Sequence, residues 1–245
     1  MKFEIDKNRI PNHIGIIMDG NGRYAQRKGL PRTFGHKAGA ENLRTITEFA
    51  RNTGVKNMTV YAFSTENWKR PSAEVSGIMK LLAFYLGDWK NQLGDSDLRI
   101  RVIGDLTGFD PSLVKMIDFV EKQTECQEGI TLNIALGYGG RNEIVQATQK
   151  LAKLCVEGKI KPEEIDEKML SENMYANYVD DPELIIRTGG EIRTSNFLLW
   201  QSAYSEYYFT DVLWPEFSPD DLLEAIWTYQ NRDRRYGGLN NKESE

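Results

Sequence analysis

The residues able to do chemistry gather where apolar runs end. His13 to Met18 is one such run, and it stops at a carboxylate, Asp19, followed by Gly20-Asn21-Gly22-Arg23. The two glycines leave backbone N–H groups bare, since a Cβ would block both positive φ and close approach of a ligand. A helix starting at Arg23 adds the partial positive charge of its amino end, so the turn suits a phosphate. Asp19 works against that use. A carboxylate repels a phosphate unless a divalent cation lies between them, and the stretch therefore predicts a metal–diphosphate site.

Arg23, Arg32, Arg70, Arg187 and Arg193 also fall in expected loops or strand ends of an otherwise acidic chain. Guanidinium groups present paired donors that match phosphate oxygens, which lysine cannot do. Asn21, Ser64, Asn67 and Ser195 can complete such a polyanion site. Phe63, Trp68 and the apolar run from 74 to 89 lie close by in sequence. A charged head with an apolar tail is the ligand this combination suits, as in an isoprenoid diphosphate.

A dinucleotide site is the main competitor, because Gly20, Gly22 and Ala25 fit G-x-G-x-x-G/A after a strand. That pattern also needs an acidic residue at the end of the second strand to hold a ribose. Glu41 lies at the right distance but in an amphipathic helical stretch, and the next strand ends Tyr61-Ala62-Phe63-Ser64 without a carboxylate. Nucleotide binding therefore ranks below a metal-bridged diphosphate.

The 245 residues, 40% of them hydrophobic, fit a single α/β domain over 1–245, with flexible tails expected at about 1–10 and 237–245. A net charge of −5 leaves no basic footprint for nucleic acid, so any anion site is local. Cys126 and Cys155 lack the spacing of a zinc site or redox pair. Met1 to Asn12 has no apolar signal segment and no window is long enough to span a membrane. The expectation is a soluble, cytoplasmic protein.

The elements that must position these groups alternate. Strands are expected at His13–Met18, Val55–Phe63, Arg99–Gly104, Ile130–Leu136, Leu184–Arg187 and Glu206–Phe209. Helices are expected at 39–51, 74–89, 111–127, 142–156, 162–170 and 219–232, with Arg27 to Arg32 as a basic loop. This alternation predicts a doubly wound, largely parallel central sheet flanked by helices, with ligands at the carboxyl ends of the strands. Apolar residues cover more than one face of 74–89, as in a helix buried in the core or at a subunit interface, or one lining an apolar tunnel.

The motifs HIGIIMDGNGRYAQRKGLPR with GHKAG, YAFSTENWKRP, RVIGDL, YGGRNEI and IIRTGGEIRTSNFLLWQSAYSEYYFTDVLWPEF resemble those of the undecaprenyl diphosphate synthases, the bacterial members of the cis-prenyltransferase family. The likeness runs over nearly the whole chain. It implies a Mg²⁺-dependent enzyme that condenses isopentenyl diphosphate units onto farnesyl diphosphate. The product would be a long-chain polyprenyl diphosphate such as undecaprenyl diphosphate, the lipid carrier precursor for cell-wall synthesis. A shorter-chain synthase and a non-catalytic partner subunit are the alternatives.

By that resemblance Asp19 holds Mg²⁺, helped by Glu206, while Gly20, Asn21, Gly22, Arg23 and Arg32 cradle the allylic diphosphate. Arg187, Arg193 and Ser195 bind isopentenyl diphosphate, and Asn67 is a catalytic position. Tyr24, His36, Phe63, Ser64, Trp68 and Arg70 match positions that contact substrate. The family also implies an apolar tunnel walled by 74–89, with Ala62 near its mouth and Ile130 near its far end. It further implies a homodimer with Arg193 near the partner, and a transient membrane contact for product release. Two local departures are Tyr24, where tryptophan is common, and Ile192, where a polar residue is often found. His13 reads as structural. His36 can bond a diphosphate, assist proton transfer or cap a helix.

Overall fold

The computed structural model describes residues 3–92 and 97–232, of which 88–92 are described in backbone only. Six strands form one parallel sheet: β1 (His13–Ile17), β2 (Asn57–Ser64), β3 (Leu98–Ile103), β4 (Ile130–Tyr138), β5 (Leu184–Arg187) and β6 (Glu206–Phe209). Their order is β3-β4-β2-β1-β5-β6. From β1 the chain moves to β2 on one side and later returns to β5 on the other. The order thus reverses around β1, and the crevice at such a reversal is the usual ligand site of open parallel sheets.

The helices are α1 (Asn21–Arg27), α2 (Arg32–Thr53), α3 (Ser72–Gln92), α4 (Pro111–Gln123), α5 (Gly140–Val156), α6 (Glu167–Glu172) and α7 (Pro219–Gln230). Period-2 alternation sends Ile14, Ile16, Val60, Ile134 and Ile186 to one face, where they pack with Leu43, Leu86, Ile117 and Ile226. Those partners lie on α2, α3, α4 and α7. Ile17, Ala135 and Ile185 point the other way, onto Phe197 and Leu198.

Strand positions agree with the sequence reading to within two residues, and β5 and β6 agree residue for residue. The larger differences are at helix starts. The first helix begins at Asn21 rather than Arg23. α2 begins at Arg32, seven residues before Gly39, so the expected basic loop is only a short turn. Gly35 and Gly39 look like helix breakers in sequence but serve packing. A Cβ on Gly35 would stand 1.9 Å from the Asn21 carbonyl oxygen, and one on Gly39 would stand 2.2 Å from Asn21 Oδ1. Without side chains there, α1 lies directly on α2. The expected helix 162–170 is a 3-10 turn, Pro162–Glu164, followed by α6.

Asp6 and Arg9 are tied to α7. Gln230 of α7 is 6% exposed; its Oε1 accepts from the Asp6 amide at 2.9 Å and its Nε2 donates to the Asp6 and Arg9 carbonyls. The expected tail at 237–245 lies outside the described residues. No helix among the described residues is long and apolar enough to cross a membrane.

His13 is structural, as expected. Its Nδ1 lies 2.6 Å from the Asp180 carbonyl oxygen, which can only accept, so Nδ1 carries the proton and Nε2 accepts from the Thr59 hydroxyl at 2.7 Å.

Candidate active site

Parallel pairing puts the ends of β1, β2 and β5 side by side, with Ile17 opposite Arg187. Asp19 lies two residues past β1, and its backbone is fixed without help from its side chain. Its amide donates to Thr188 Oγ1 at 3.0 Å, and its carbonyl accepts from the Trp214 amide at 2.9 Å. The carboxylate faces the crevice between two arginines. Oδ2 takes Arg187 Nη2 at 2.9 Å and Oδ1 takes Arg23 Nη2 at 3.1 Å. Burial alone would raise its pKa, but the hydrogen bonds and charges of Arg187 and Arg23 outweigh that and hold it below the ordinary carboxylate value.

Arg187 is 4% exposed and connects three segments. Besides Asp19 it donates to Ser195 Oγ at 2.7 Å and to the Arg193 carbonyl, so its guanidinium is locked in place. Gly20 caps α1 with φ of 110°. Gly22 lies beneath the Arg32 guanidinium, which a Cβ would approach to 3.1 Å.

Three cavities meet here. The first, about 600 Å³, is lined by Asp19, Gly20, Gly22, Arg23, Gln26 and Arg32, among others. A second polar one, about 630 Å³, includes Asp19, Ser64, Asn67, Arg70, Arg187, Arg193 and Ser195. The third is apolar, about 120 Å³, and lies between α2, α3 and the sheet with Leu43, Leu82, Leu86 and Ile134 on its walls. Met18, Asn21, His36, Ala62 and Ile78 line both the second and the third, and Asp19 lines both the first and the second. A polar crevice rich in arginine therefore opens into an apolar one. Asn21 Oδ1 and His36 Nε2, both at that junction, are buried without a hydrogen-bond partner.

The structure does not bring every expected residue to the cavities. Phe63 is 1% exposed and packs edge-on against Trp68 and Phe109, with centroids 4.9 Å and 6.0 Å away. Burying a ring of that size stabilises by roughly 2–3 kcal/mol, and Phe63 belongs to the core. Trp68 lines none of the three cavities and covers the same aromatic cluster. Tyr24 stacks on Phe34 at 6.4 Å with Lys28 over its ring, again outside the cavities.

Glu206 needs the largest correction. It opens β6 beside Leu184, whereas Arg187 closes β5, so it lies about 10 Å back along the strands from the Asp19 end of the sheet. It pairs there with Arg232 at 2.6 Å. Within one chain it cannot share an ion with Asp19. Ile130 is core at the amino end of β4 and does not line the apolar cavity. Asn67 does line the second polar cavity, and its Oδ1 accepts from the Ser64 amide at 3.1 Å in a capping box that shapes the 3-10 turn Thr65–Lys69.

Glu74 escaped the sequence reading. Its Oε1 meets Arg70 at 3.0 Å, Arg32 at 3.5 Å and His36 at 3.7 Å, so the base of α3 is held to both polar cavities through one carboxylate. Asn196 and Glu66, also missed, line the second cavity and bond each other at 2.9 Å.

Burial depresses the pKa of His36, with Glu74 opposing and Arg70 and Arg32 reinforcing the shift. His13 is depressed as well, chiefly by burial. Above the ordinary value of 6.5 both are neutral in the folded and unfolded chain. As pH falls below 6.5 the unfolded chain takes up protons that the native histidines resist, so stability falls until the lowered native values are reached. Thermal unfolding is expected to give a lower Tm at pH 5.5 than at pH 7.5, with a shallower fall in His36→Gln. A Tm that rises on acidification, or an unchanged slope in that variant, contradicts the assignment.

A parallel α/β fold whose carboxylate–arginine crevice continues into an apolar cavity defines a site for an amphiphilic polyanion, and the comparisons agree with that class. Residues 17–237 match the prenyltransferase family model described as "Putative undecaprenyl diphosphate synthase". An isoprenyl transferase of Heliobacterium mobile is 49% identical over 96% of this chain and 91% of its own length. Lavandulyl diphosphate synthase from Lavandula x intermedia, solved with dimethylallyl diphosphate, superposes with a TM-score of 0.91 at 34% identity, covering 94% of this chain and 100% of that one. A probable undecaprenyl diphosphate synthase from Campylobacter jejuni has a TM-score of 0.77 at 32% identity, covering 93% and 99%. The chain belongs to the undecaprenyl diphosphate synthase family of cis-prenyltransferases.

Proposed function

We propose that the chain condenses isopentenyl diphosphate onto farnesyl diphosphate and repeats the step to a long polyprenyl diphosphate of the undecaprenyl type. The observation that carries this reading is the set of shared linings: one polar cavity adjoins a second through Asp19, and the second adjoins an apolar cavity through Ala62, His36 and Ile78. The allylic head fits the cavity of Gly20, Gly22, Arg23 and Arg32, with its tail directed into the apolar one. The second diphosphate fits Arg187, Arg193 and Ser195. The isopentenyl double bond then attacks allylic C1, the diphosphate leaves with the bonding pair, and loss of a proton forms the new double bond. The chain's own contribution is orientation of two bound substrates and a fixed array of guanidinium donors around the leaving charge.

Asp19 fits a magnesium ion shared with substrate. Its carboxylate stays ionised, and among the described residues no three His, Cys, Asp or Glu side chains gather to hold an ion by themselves. Magnesium is commonly held by one or two carboxylates together with substrate phosphates, and when bound it neutralises diphosphate charge. Glu206 is not part of this proposal.

The test is transfer of label from isopentenyl diphosphate into an organic-extractable product, with farnesyl diphosphate present and either Mg²⁺ or EDTA added. Mg²⁺-dependent transfer is expected. No transfer under either condition rules the reading out, and equal transfer in EDTA removes the metal from it.

The apolar cavity, about 120 Å³, is lined by Ala62 where it meets the second polar cavity. Ala62→Leu, at its mouth, is expected to shift products to shorter chains while the rate of the first addition stays within about 5-fold, a cost of about 1 kcal/mol at the low end for added bulk in a packed site. Chromatographic sizing of products checks this, and an unchanged distribution contradicts it.

A further inference from the structure

The strand end Tyr138-Gly139-Gly140-Arg141 lines none of the cavities above, yet it holds a strained segment that does. Among the described residues the non-glycine positions with positive φ are Ser195 (49°), Asn196 (66°) and Leu198 (45°), all in one stretch. Such strain persists only where the surroundings over-determine it, and it tends to collect at functional sites. Phe197 and Leu198 are each 1% exposed, and the Phe197 ring stacks on Tyr61 at 4.7 Å, which pins the segment from below.

Asn196 pins it from the side. Its carbonyl accepts from the Gly140 amide at 2.7 Å, and its Oδ1 accepts from the Arg141 amide at 2.9 Å. Both oxygens thus satisfy amides at the start of α5 that have no partner within the helix. Its Nδ2 donates to Glu66 Oε1, tying in the turn after β2. A Cβ on Gly139 would stand 2.8 Å from Asn196 Nδ2, so the glycine is needed for this approach. One turn further on, buried Glu143 accepts from Gln201 Nε2 at 3.1 Å and from the Tyr138 hydroxyl, fastening the far side of the segment to the same helix. The outcome is Ser195 Oγ held 2.7 Å from Arg187, with the Arg193 carbonyl on the same nitrogen.

We infer that Asn196 is a positioning residue for the second diphosphate: by capping α5 with both its oxygens, it fixes the left-handed backbone that sets Ser195 and Arg193 against Arg187. The inference rests on the proposed function for the identity of the ligand, but not for the geometry. Since Asn196 also lines the crevice, direct contact with substrate is the competing role. Glycine separates the two, because it adopts a left-handed backbone freely and keeps the carbonyl bond to Gly140 while losing the side chain.

Steady-state kinetics of Asn196→Ala and Asn196→Gly, with crystal structures of both, test it. Asn196→Ala is expected to raise KM for isopentenyl diphosphate about 20-fold while KM for farnesyl diphosphate moves less than about 2-fold, and Asn196→Gly to recover to within about 3-fold of the parent. An isopentenyl diphosphate KM within about 2-fold of the parent in the alanine variant overturns the inference. A glycine variant as impaired as alanine whose crystal structure keeps the Ser195–Arg187 bond makes Asn196 a ligand and overturns it equally. In the alanine crystal structure the Ser195–Arg187 bond is expected to be broken. If it is intact, positioning by Asn196 is wrong whether or not the parent chain transfers label, and a parent that transfers none counts against the proposed function instead.

Discussion

Asp19→Ala is expected to lower turnover about 1,000-fold at saturating substrates while leaving Tm within a few degrees of the parent, the size of loss seen when one electrostatic stabiliser of a transition state is removed. The two effects separate because backbone and side chain of Asp19 do different jobs. Thr188 and Trp214 hold its amide and carbonyl, so the turn after β1 keeps its shape without the carboxylate. The side chain is 31% exposed and faces the crevice, where it aligns Arg187 and Arg23 and would share the cation with substrate. Arg187 retains Ser195 and the Arg193 carbonyl in the variant, which limits the structural damage. Turnover and thermal unfolding on the same preparation check this, and activity within 10-fold of the parent removes Asp19 from the centre of the mechanism.

Arg187→Ala is expected to damage both activity and fold. Three hydrogen bonds of a 4% exposed guanidinium are lost together, leaving Asp19 and Ser195 without their common donor. At about 1 kcal/mol each, the loss amounts to roughly 3 kcal/mol, or about 6–12 °C in Tm for a chain of this size. The kcat/KM for isopentenyl diphosphate should fall at least about 1,000-fold, since a diphosphate ligand and its support disappear at once. Arg187→Lys should recover little of it. An ammonium is a point charge that cannot reach Asp19, Ser195 and the Arg193 carbonyl in the fixed directions of a fork. A lysine variant with near-parent kinetics would show that charge alone matters at this position.

How far these roles could be read from the chain depended on the range of the contacts. Leu184-Ile185-Ile186-Arg187 is legible because a short β-branched run ending in a charge is a local signal, and the alternation of elements set the parallel sheet. Asp19 with Gly20 and Gly22 is equally local. The start of α2 was hidden because Gly35 and Gly39 are there for Asn21, a partner on another helix. Phe63 owes its place in the helix-covered core to a bulge that no local pattern announces: the β2–β4 register shifts between Tyr61 and Phe63, against strict alternation. Glu206 illustrates strand direction. Its position at the start of a parallel strand already puts it at the end opposite Arg187. Asn196 and Glu66 are 130 residues apart, and no pattern within either segment announces their bond.

In the proposed function a single crevice holds two diphosphates and passes the growing tail into the apolar cavity beside it. Mass spectrometry of the dephosphorylated products from farnesyl diphosphate, isopentenyl diphosphate and Mg²⁺ tests this most directly. A ladder of products spaced by one five-carbon unit and ending in a long-chain species is expected. Recovery of farnesol alone, with no member of the ladder, would contradict it.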